Sequence, residues 1–382
     1  MLRVAIIGCG KIADQHVMAI GRVRDCGIVA LCDREPLMAK QLGERHNFSS
    51  CFTDVSEMLR KVRPDVVHIT TPPQSHFSIA EECLDAGSHV YLEKPFTVTA
   101  DEAQKLIELA GSRGLVITAG HNYQFTLEML RMRDIVSAGF LGGRAVHVES
   151  HWPYDLSDMS YVGPVLGNPN HWVRRLPGQL FHNILSHGIA RLAEFLDDDL
   201  CEIVAKGHQS PRLSQVGGKE VLDELRVLIR DKRGTTAFFC FSTQIKPARN
   251  RLLVCGPKNS ILVDSMSGSL IRQVNGSYKS YLTYFVPPIK NACEYLRNAW
   301  VNGTDFLRRR LYQDFGMKEL IERFYDSARN RSAPPIPYRE IILTARIMDE
   351  VFAQVGLADE QSTATGFRAT AASRGRHPSL SQ

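Results

Sequence analysis

A short apolar run, Val4-Ala5-Ile6-Ile7, passes straight into Gly8-Cys9-Gly10-Lys11-Ile12-Ala13 and from there into a helical pattern. A Gly-x-Gly-x-x-Ala turn between strand and helix predicts a cradle for a pyrophosphate. Gly8 permits the tight turn, Gly10 has no Cβ to block a phosphate, and Ala13 is small enough for helix and strand to pack closely. The helix start, at Lys11 and Ile12, offers N–H groups and a positive dipole. A second strand, Gly27-Ile28-Val29-Ala30-Leu31-Cys32, ends at Asp33. An acid roughly 20 residues past the glycines is where a dinucleotide fold bonds the adenosine ribose hydroxyls. Asp33 repels a 2′-phosphate and favours NAD; Arg34 beside it suits that phosphate, so NADP stays open.

A chain of 382 residues predicts two domains. Its 44% hydrophobic and 23% charged content match globular proteins, excluding disordered and fibrous classes. The net charge of +5 is small for this length, with Lys and Arg interspersed among Asp and Glu, so nucleic acid is not an expected partner. Nine cysteines without Cys-x-x-Cys spacing read as free thiols in a reducing compartment. No apolar run approaches the roughly 18 residues that span a bilayer, and no secretory pattern opens the sequence, so a cytoplasmic protein is expected. No His, Cys and Asp spacing matches a metal-ligand set.

Up to about Gly120 strands alternate with helical patterns, the signature of a parallel sheet covered on both faces. Asp65–Thr70, Ser88–Leu92 and Leu115–Ala119 read as strands, Ser75–Ala86 and Ala100–Ser112 as helices, the second opened by Thr99 as N-cap. Beyond Phe125 come a helix over Thr126–Ser137, a Gly142-Gly143 turn and a strand over Arg144–Ser150. Strand-like runs at Val221–Ile229, Thr235–Thr243, Asn250–Cys255 and Ser260–Asp264, with no helix between them, predict an antiparallel sheet. Helices near Pro288–Val301, Met317–Ser327 and Arg339–Val355 close the fold. The expected class is α/β: a doubly wound parallel Rossmann sheet over 1–122, then an α+β domain on a mostly antiparallel open sheet over 123–357, which binds substrate and pairs copies into a homo-oligomer. Residues 358–382, rich in Ser, Thr and Ala, read as a mobile tail.

Thr71-Pro72-Pro73 with His76 follows one strand of the first sheet, Glu93-Lys94-Pro95 follows the next, and Gly120-His121-Asn122-Tyr123 follows the last. With the glycine turn and Asp33, these runs resemble the glucose-fructose oxidoreductase and inositol dehydrogenase family, Gfo/Idh/MocA. The resemblance reaches Val355, and Glu-Lys-Pro is its most specific piece. It implies an NAD(P)-dependent dehydrogenase acting on a CH–OH carbon of a sugar, nucleotide sugar or cyclitol. It also implies a cofactor site that includes Thr71, Pro72, His76, Glu93, Lys94 and Asn122, with Lys94 between nicotinamide and substrate. The alternative for Lys94 is a surface ion pair with Glu93.

In Leu180-Phe181-His182-Asn183-Ile184-Leu185-Ser186-His187, Asn183 and His187 share one helix face, while Leu185, Ile189, Leu192 and Leu196 form a stripe expected to pack inward and leave His187 free for the cleft. The resembling family usually has Asp where this chain has Asn183, and an acid where it has Ala190. An amide bonds a hydroxyl but takes no proton from it. His187 is therefore the expected acid/base, Lys94 its catalytic partner and Asn183 an orienting group; His182 points away and reads as structural. The departure also motivates a second reading, a non-catalytic dinucleotide-binding sensor or scaffold.

Trp152, Tyr154, Tyr161, His171, Trp172, Arg174 and Arg175 fill the segment before that helix. Aromatic faces suit sugar rings and arginine forks suit phosphates; an ordinary loop packed on its domain explains them equally. Phe306-Leu307-Arg308-Arg309-Arg310-Leu311 reads as a solvated helix face, with an anionic membrane surface as the other reading.

Overall fold

The computed structural model of the chain describes residues 1–156, 163, 168, 170–198, 200–215, 221–312 and 314–356. Tyr161 and the segment 358–382 lie outside them.

The first half alternates β1 (Leu2–Ile7), α1 (Lys11–Ile20), β2 (Cys26–Cys32), α2 (Pro36–His46), β3 (Cys51–Phe52), α3 (Val55–Val62), β4 (Val66–Ile69), α4 (His76–Asp85), β5 (His89–Leu92), α5 (Ala100–Ser112) and β6 (Ile117–Ala119). The strands form one parallel sheet in the order β3-β2-β1-β4-β5-β6. Val4 to Ile7 and Val66 to Ile69 are buried without alternation, as a sheet with helices on both faces requires. Local capping sets the helix starts. Thr99 accepts from the Glu102 N–H at the head of α5, and Asp54 from the Glu57 N–H at 2.7 Å at the head of α3.

The second half contains α6 (Leu127–Ser137), β7 (His147–Pro153), α7 (Gln179–Ala193), β8 (Leu200–His208), α8 (Pro211–Gln215), β9 (Glu224–Asp231), β10 (Thr236–Ser242), β11 (Arg251–Cys255), β12 (Asn259–Asp264), β13 (Ser269–Val274), α9 (Val286–Leu307), α10 (Phe315–Asn330) and α11 (Tyr338–Gln354). Seven strands are ordered β13-β12-β11-β7-β10-β9-β8, antiparallel except where β10 runs parallel to β7. Burial alternates along β7, β11 and β12, so one face packs on α6 and α7 and the other is open.

Three expectations need amendment. The strand expected from Arg144 begins only at His147, because Gly142 and Gly143, both with positive φ, carry the chain out of the turn before pairing with Thr236 begins. The stripe expected on α7 is not a stripe: every side chain from Leu180 to Ala193 is buried, because the helix is sandwiched between the second sheet and α11. The division at residue 122 also cuts through a core. Met317, Leu320, Ile321, Phe324 and Tyr325 of α10 pack into the cluster formed by the parallel sheet, each side chain stabilising it by about 1.5–3 kcal/mol through burial.

Candidate active site

Three loops meet at the carboxyl ends of the adjacent strands β1, β4 and β5, where open parallel sheets bind ligands. The first is the glycine turn. Gly8 has φ of +93°, and a Cβ there would stand 2.7 Å from the Thr71 nitrogen, so the turn and the Thr71 loop touch backbone to backbone. In front of Gly10 nothing lies within 4 Å of a Cβ position, and no side chain caps α1. Asp33 bridges the turn: one carboxylate oxygen accepts from the Cys9 N–H at 2.7 Å, the other from the Glu35 N–H at 2.9 Å. Open space, an uncapped helix start and a fixed carboxylate fit a dinucleotide, which Gly10, Lys11 and Ile12 could hold by its pyrophosphate and Asp33 by a ribose. Lys11 and Arg34 are exposed beside them.

The second loop holds Thr71, Pro72 and His76. The Thr71 hydroxyl accepts from Ser75 at 2.8 Å, and Pro72 is exposed. His76, expected at the cofactor, is buried with its Nε2 2.8 Å from the Thr71 carbonyl and its Nδ1 3.0 Å from that of Pro95. Burial lowers its pKa against those carbonyls. Its ring ties the second loop to the third and offers nothing to a ligand.

The third loop is Glu93-Lys94-Pro95. Glu93 also turns away from the cofactor path. Its carboxylate lies inside the protein, accepting from the Lys94 N–H at 3.0 Å and paired with His16 Nε2 at 3.0 Å. His16 Nδ1 is 2.8 Å from His68 Nδ1, and His68 Nε2 is 2.8 Å from the Tyr325 hydroxyl. Hydrogen bonds thus link Tyr325, His68, His16 and Glu93 in one buried chain. Burial pushes Glu93 upward, but the His16 bond and the nearby charges outweigh it and hold the carboxyl below its ordinary range. Burial drives His68 well below its ordinary value.

Lys94 therefore stands on an anchored carboxylate. The residue is half-buried, and its ammonium donates to the backbone carbonyl of Asn183 at 3.1 Å, not to Glu93. Burial lowers its pKa, with the Glu93 charge opposing. His187 lies one turn further along α7. It is less open than expected, 8% exposed and lined by rings with centroids 4.8 Å from Tyr123, 5.5 Å from Trp152 and 6.0 Å from His121. Burial, then the charges of Lys94, His121 and Arg191, hold it well below an ordinary histidine. His187 Nδ1 and both His121 nitrogens have no hydrogen-bond partner among the described residues. Burial pushes His121 down to about 4, Lys94 adding to it and Glu93 opposing.

The sequence motif that holds His121 and Tyr123 gives neither a role, and no motif marks Arg191. Arg191 is fully buried, its guanidinium 4.9 Å from the Trp152 ring, and it braces the aromatic wall from behind. Asn122 is half-buried at the start of a single turn, and its amide makes no protein hydrogen bond among the described residues. His182 stacks on Phe352 at 5.0 Å with Nε2 3.4 Å from the Thr97 carbonyl, facing away from the cleft. Gln74 donates to the Trp172 carbonyl at 2.8 Å, bringing the His171 to Arg175 segment against the second loop.

Residues 2–121 match the oxidoreductase family GFO_IDH_MocA, described by its NAD-binding Rossmann fold. That match covers the parallel-sheet half of the chain. NAD is the cofactor of that family's fold. The D-glucoside 3-dehydrogenase of Escherichia coli (strain K12) is 35% identical over 142 residues, 37% of this chain and 40% of that protein. The chain thus matches well under two thirds of that relative's length. An uncharacterized oxidoreductase of Bacillus subtilis (strain 168), YrbE, is 24% identical over 68% of this chain and 73% of its own. The WlbA dehydrogenase from Bordetella pertussis, solved with NADH and UDP-GlcNAcA, superposes with a TM-score of 0.71 at 17% identity, covering 93% of this chain and 95% of the other. Myo-inositol 2-dehydrogenase from Lactobacillus plantarum does so at 0.69 and 15% identity, covering 93% and 97%. Both share the fold of this chain.

Proposed function

We propose that the chain is a dehydrogenase that interconverts a hydroxyl-bearing carbon and a carbonyl on a sugar, nucleotide sugar or cyclitol. The carrying observation is the convergence of Lys94, His121 and His187 at the carboxyl edge of the parallel sheet, with Tyr123 and Trp152 as an aromatic wall for a sugar face. NAD, when bound, supplies the two-electron acceptor. The chain's residues then do three things. Lys94 donates from Nζ to the reacting oxygen, having only a backbone carbonyl to release. His187, kept neutral by burial, accepts the hydroxyl proton at a ring nitrogen. Tyr123, Trp152 and the packed α7 exclude water.

Arg174 and Arg175, brought close to the second loop, favour a nucleotide-linked sugar over a free polyol. The names of the solved neighbours support the same class. Asp33 favours NAD over NADP. Open-face side chains such as Val204 and Leu228, exposed on the second sheet, support pairing with another copy. Asn183 in place of an acid favours a second reading, a dinucleotide-binding sensor without turnover.

The test is purified full chain with NAD or NADP and a panel of UDP-sugars, free sugars and cyclitols, followed by the absorbance of reduced nicotinamide. Turnover on a nucleotide sugar is expected. Tight NADH binding with no turnover on any panel member overturns the reading in favour of the sensor.

A further inference from the structure

Helix α9, Val286–Leu307, is inside out. A helix lying on a protein normally buries its apolar stripe. Here the inward side is polar. Asn298 accepts from the Leu270 N–H at 2.9 Å and donates to the Leu270 carbonyl at 2.7 Å, filling the open edge of β13; Asn302 donates to the Ser267 carbonyl at 3.0 Å. Glu294 is held by Arg272 at 2.6 Å, and Asp305 by Arg131. The opposite side carries Phe285, Ile289, Leu296, Trp300 and Leu307, at intervals of four and seven that keep them on one face. All five are exposed, Trp300 at 76% and Leu307 at 80%. A contiguous apolar strip of this kind marks a docking surface.

The charges choose the occupant. Between residues 279 and 311 the chain carries six cations, Lys279, Lys290, Arg297, Arg308, Arg309 and Arg310, and two acids, Glu294 and Asp305. Both acids face inward and are paired with arginines from outside the segment, Arg297 and Arg310 approaching them at 4.0 and 3.8 Å besides, so Lys279, Lys290, Arg308 and Arg309 have no carboxylate partner within the segment. A second copy laid on this face would set like charge against like with no carboxylate to answer it. The segment 357–382 is no better suited, with three large apolar residues and more arginines than acids. A surface that is apolar beneath and anionic on top answers both features. Tyr284, Tyr295 and Phe306, exposed along the flanks, are side chains that favour that boundary.

We propose that α9 lies in the headgroup layer of an anionic membrane, its apolar strip in the acyl boundary and its arginines on the phosphates. It takes up the second of the two readings of Phe306 to Leu311, whose arginines follow the end of the helix at Leu307. No helix among the described residues is long and apolar enough to cross a membrane, so the contact is peripheral.

The experiment floats the full chain with vesicles of phosphatidylcholine alone and of phosphatidylcholine mixed with phosphatidylglycerol. Partition onto the mixed vesicles only is expected, weakening on the order of tenfold as salt rises from about 0.05 M to about 0.5 M. Arg308→Ser, Arg309→Ser and Arg310→Ser together should lower partition on the order of a hundredfold, and Trp300→Ala with Leu307→Ala by about tenfold or more, with melting temperatures unchanged. Three results overturn the proposal: no partition onto mixed vesicles, equal partition onto neutral ones, or indifference to both variants. A dimer in sedimentation equilibrium that Leu296→Glu splits into monomers also overturns it, since a second copy then covers the face.

Discussion

The ammonium of Lys94, carried on the first sheet, donates to the backbone carbonyl of Asn183 on α7 of the second domain at 3.1 Å. The contact joins the two halves at the point where the proposed reaction occurs, and a backbone acceptor is one that a substrate oxygen can displace. Lys94→Ala is therefore expected to lower kcat by about 10²–10⁴-fold while calorimetry shows NADH binding within a few-fold of the parent. A variant that turns over at the parent rate removes Lys94 from the chemistry.

His187 is held neutral well below its ordinary range by burial and by the charges around it. A base that is already unprotonated does not titrate near neutrality, so oxidation rates should be flat through about pH 6.5 and fall only in more acid solution. His187→Gln should lose turnover by about 10²–10⁴-fold without moving the NADH affinity. A limb at or above about pH 6.5 that disappears in His187→Gln would contradict the assignment.

The Tyr325 hydroxyl is the far end of the chain that anchors Glu93. Tyr325→Phe leaves His68 Nε2 buried with no hydrogen-bond partner, which costs about 1–3 kcal/mol. Urea unfolding should show the midpoint shifted accordingly with an unchanged slope. A change within error would mean the chain contributes nothing to stability.

Acid should weaken the fold through its buried histidines. His68, His76, His121, His182 and His187 are buried with lowered pKa values, His121 and His182 down to about 4. Each is neutral in the folded protein over a range where the unfolded chain takes up a proton, so stability present above about pH 6.5 is lost as pH falls, by at most about 1.4 kcal/mol per unit per ring. Burial raises Glu340 to about 7 and Asp349 to about 6, and these two work in the opposite sense. Five rings outweigh two carboxyls. Denaturant midpoints between about pH 7.5 and about pH 5 should fall with acidity; a midpoint that rises would reverse the accounting.

The parallel half was legible because strands buried on both faces are continuous apolar runs, and α5 was read to the residue from its Thr99 cap. The strands Leu200–His208 and Ser269–Val274 were not, because each is an edge strand mixing residues such as Glu202, Gly207 and Arg272 with apolar ones. Lys94 and His187 stood out within short motifs. The box around His187 and the chain from Glu93 to Tyr325 did not, since their members come from distant parts of the sequence and leave no local spacing. His76 and Glu93 were misread for the same reason: a polar residue at a strand end looks outward until its interior partners are known.

The packing of α10 against the parallel sheet sets an order of events during synthesis. Met317, Leu320, Phe324 and Tyr325 leave the ribosome after nearly the whole polypeptide has emerged. Until then the dinucleotide half presents an uncovered apolar wall, and His68 waits for its hydroxyl partner. A gene fragment stopping at residue 122 would stay in that condition permanently and clump instead of gripping a nucleotide.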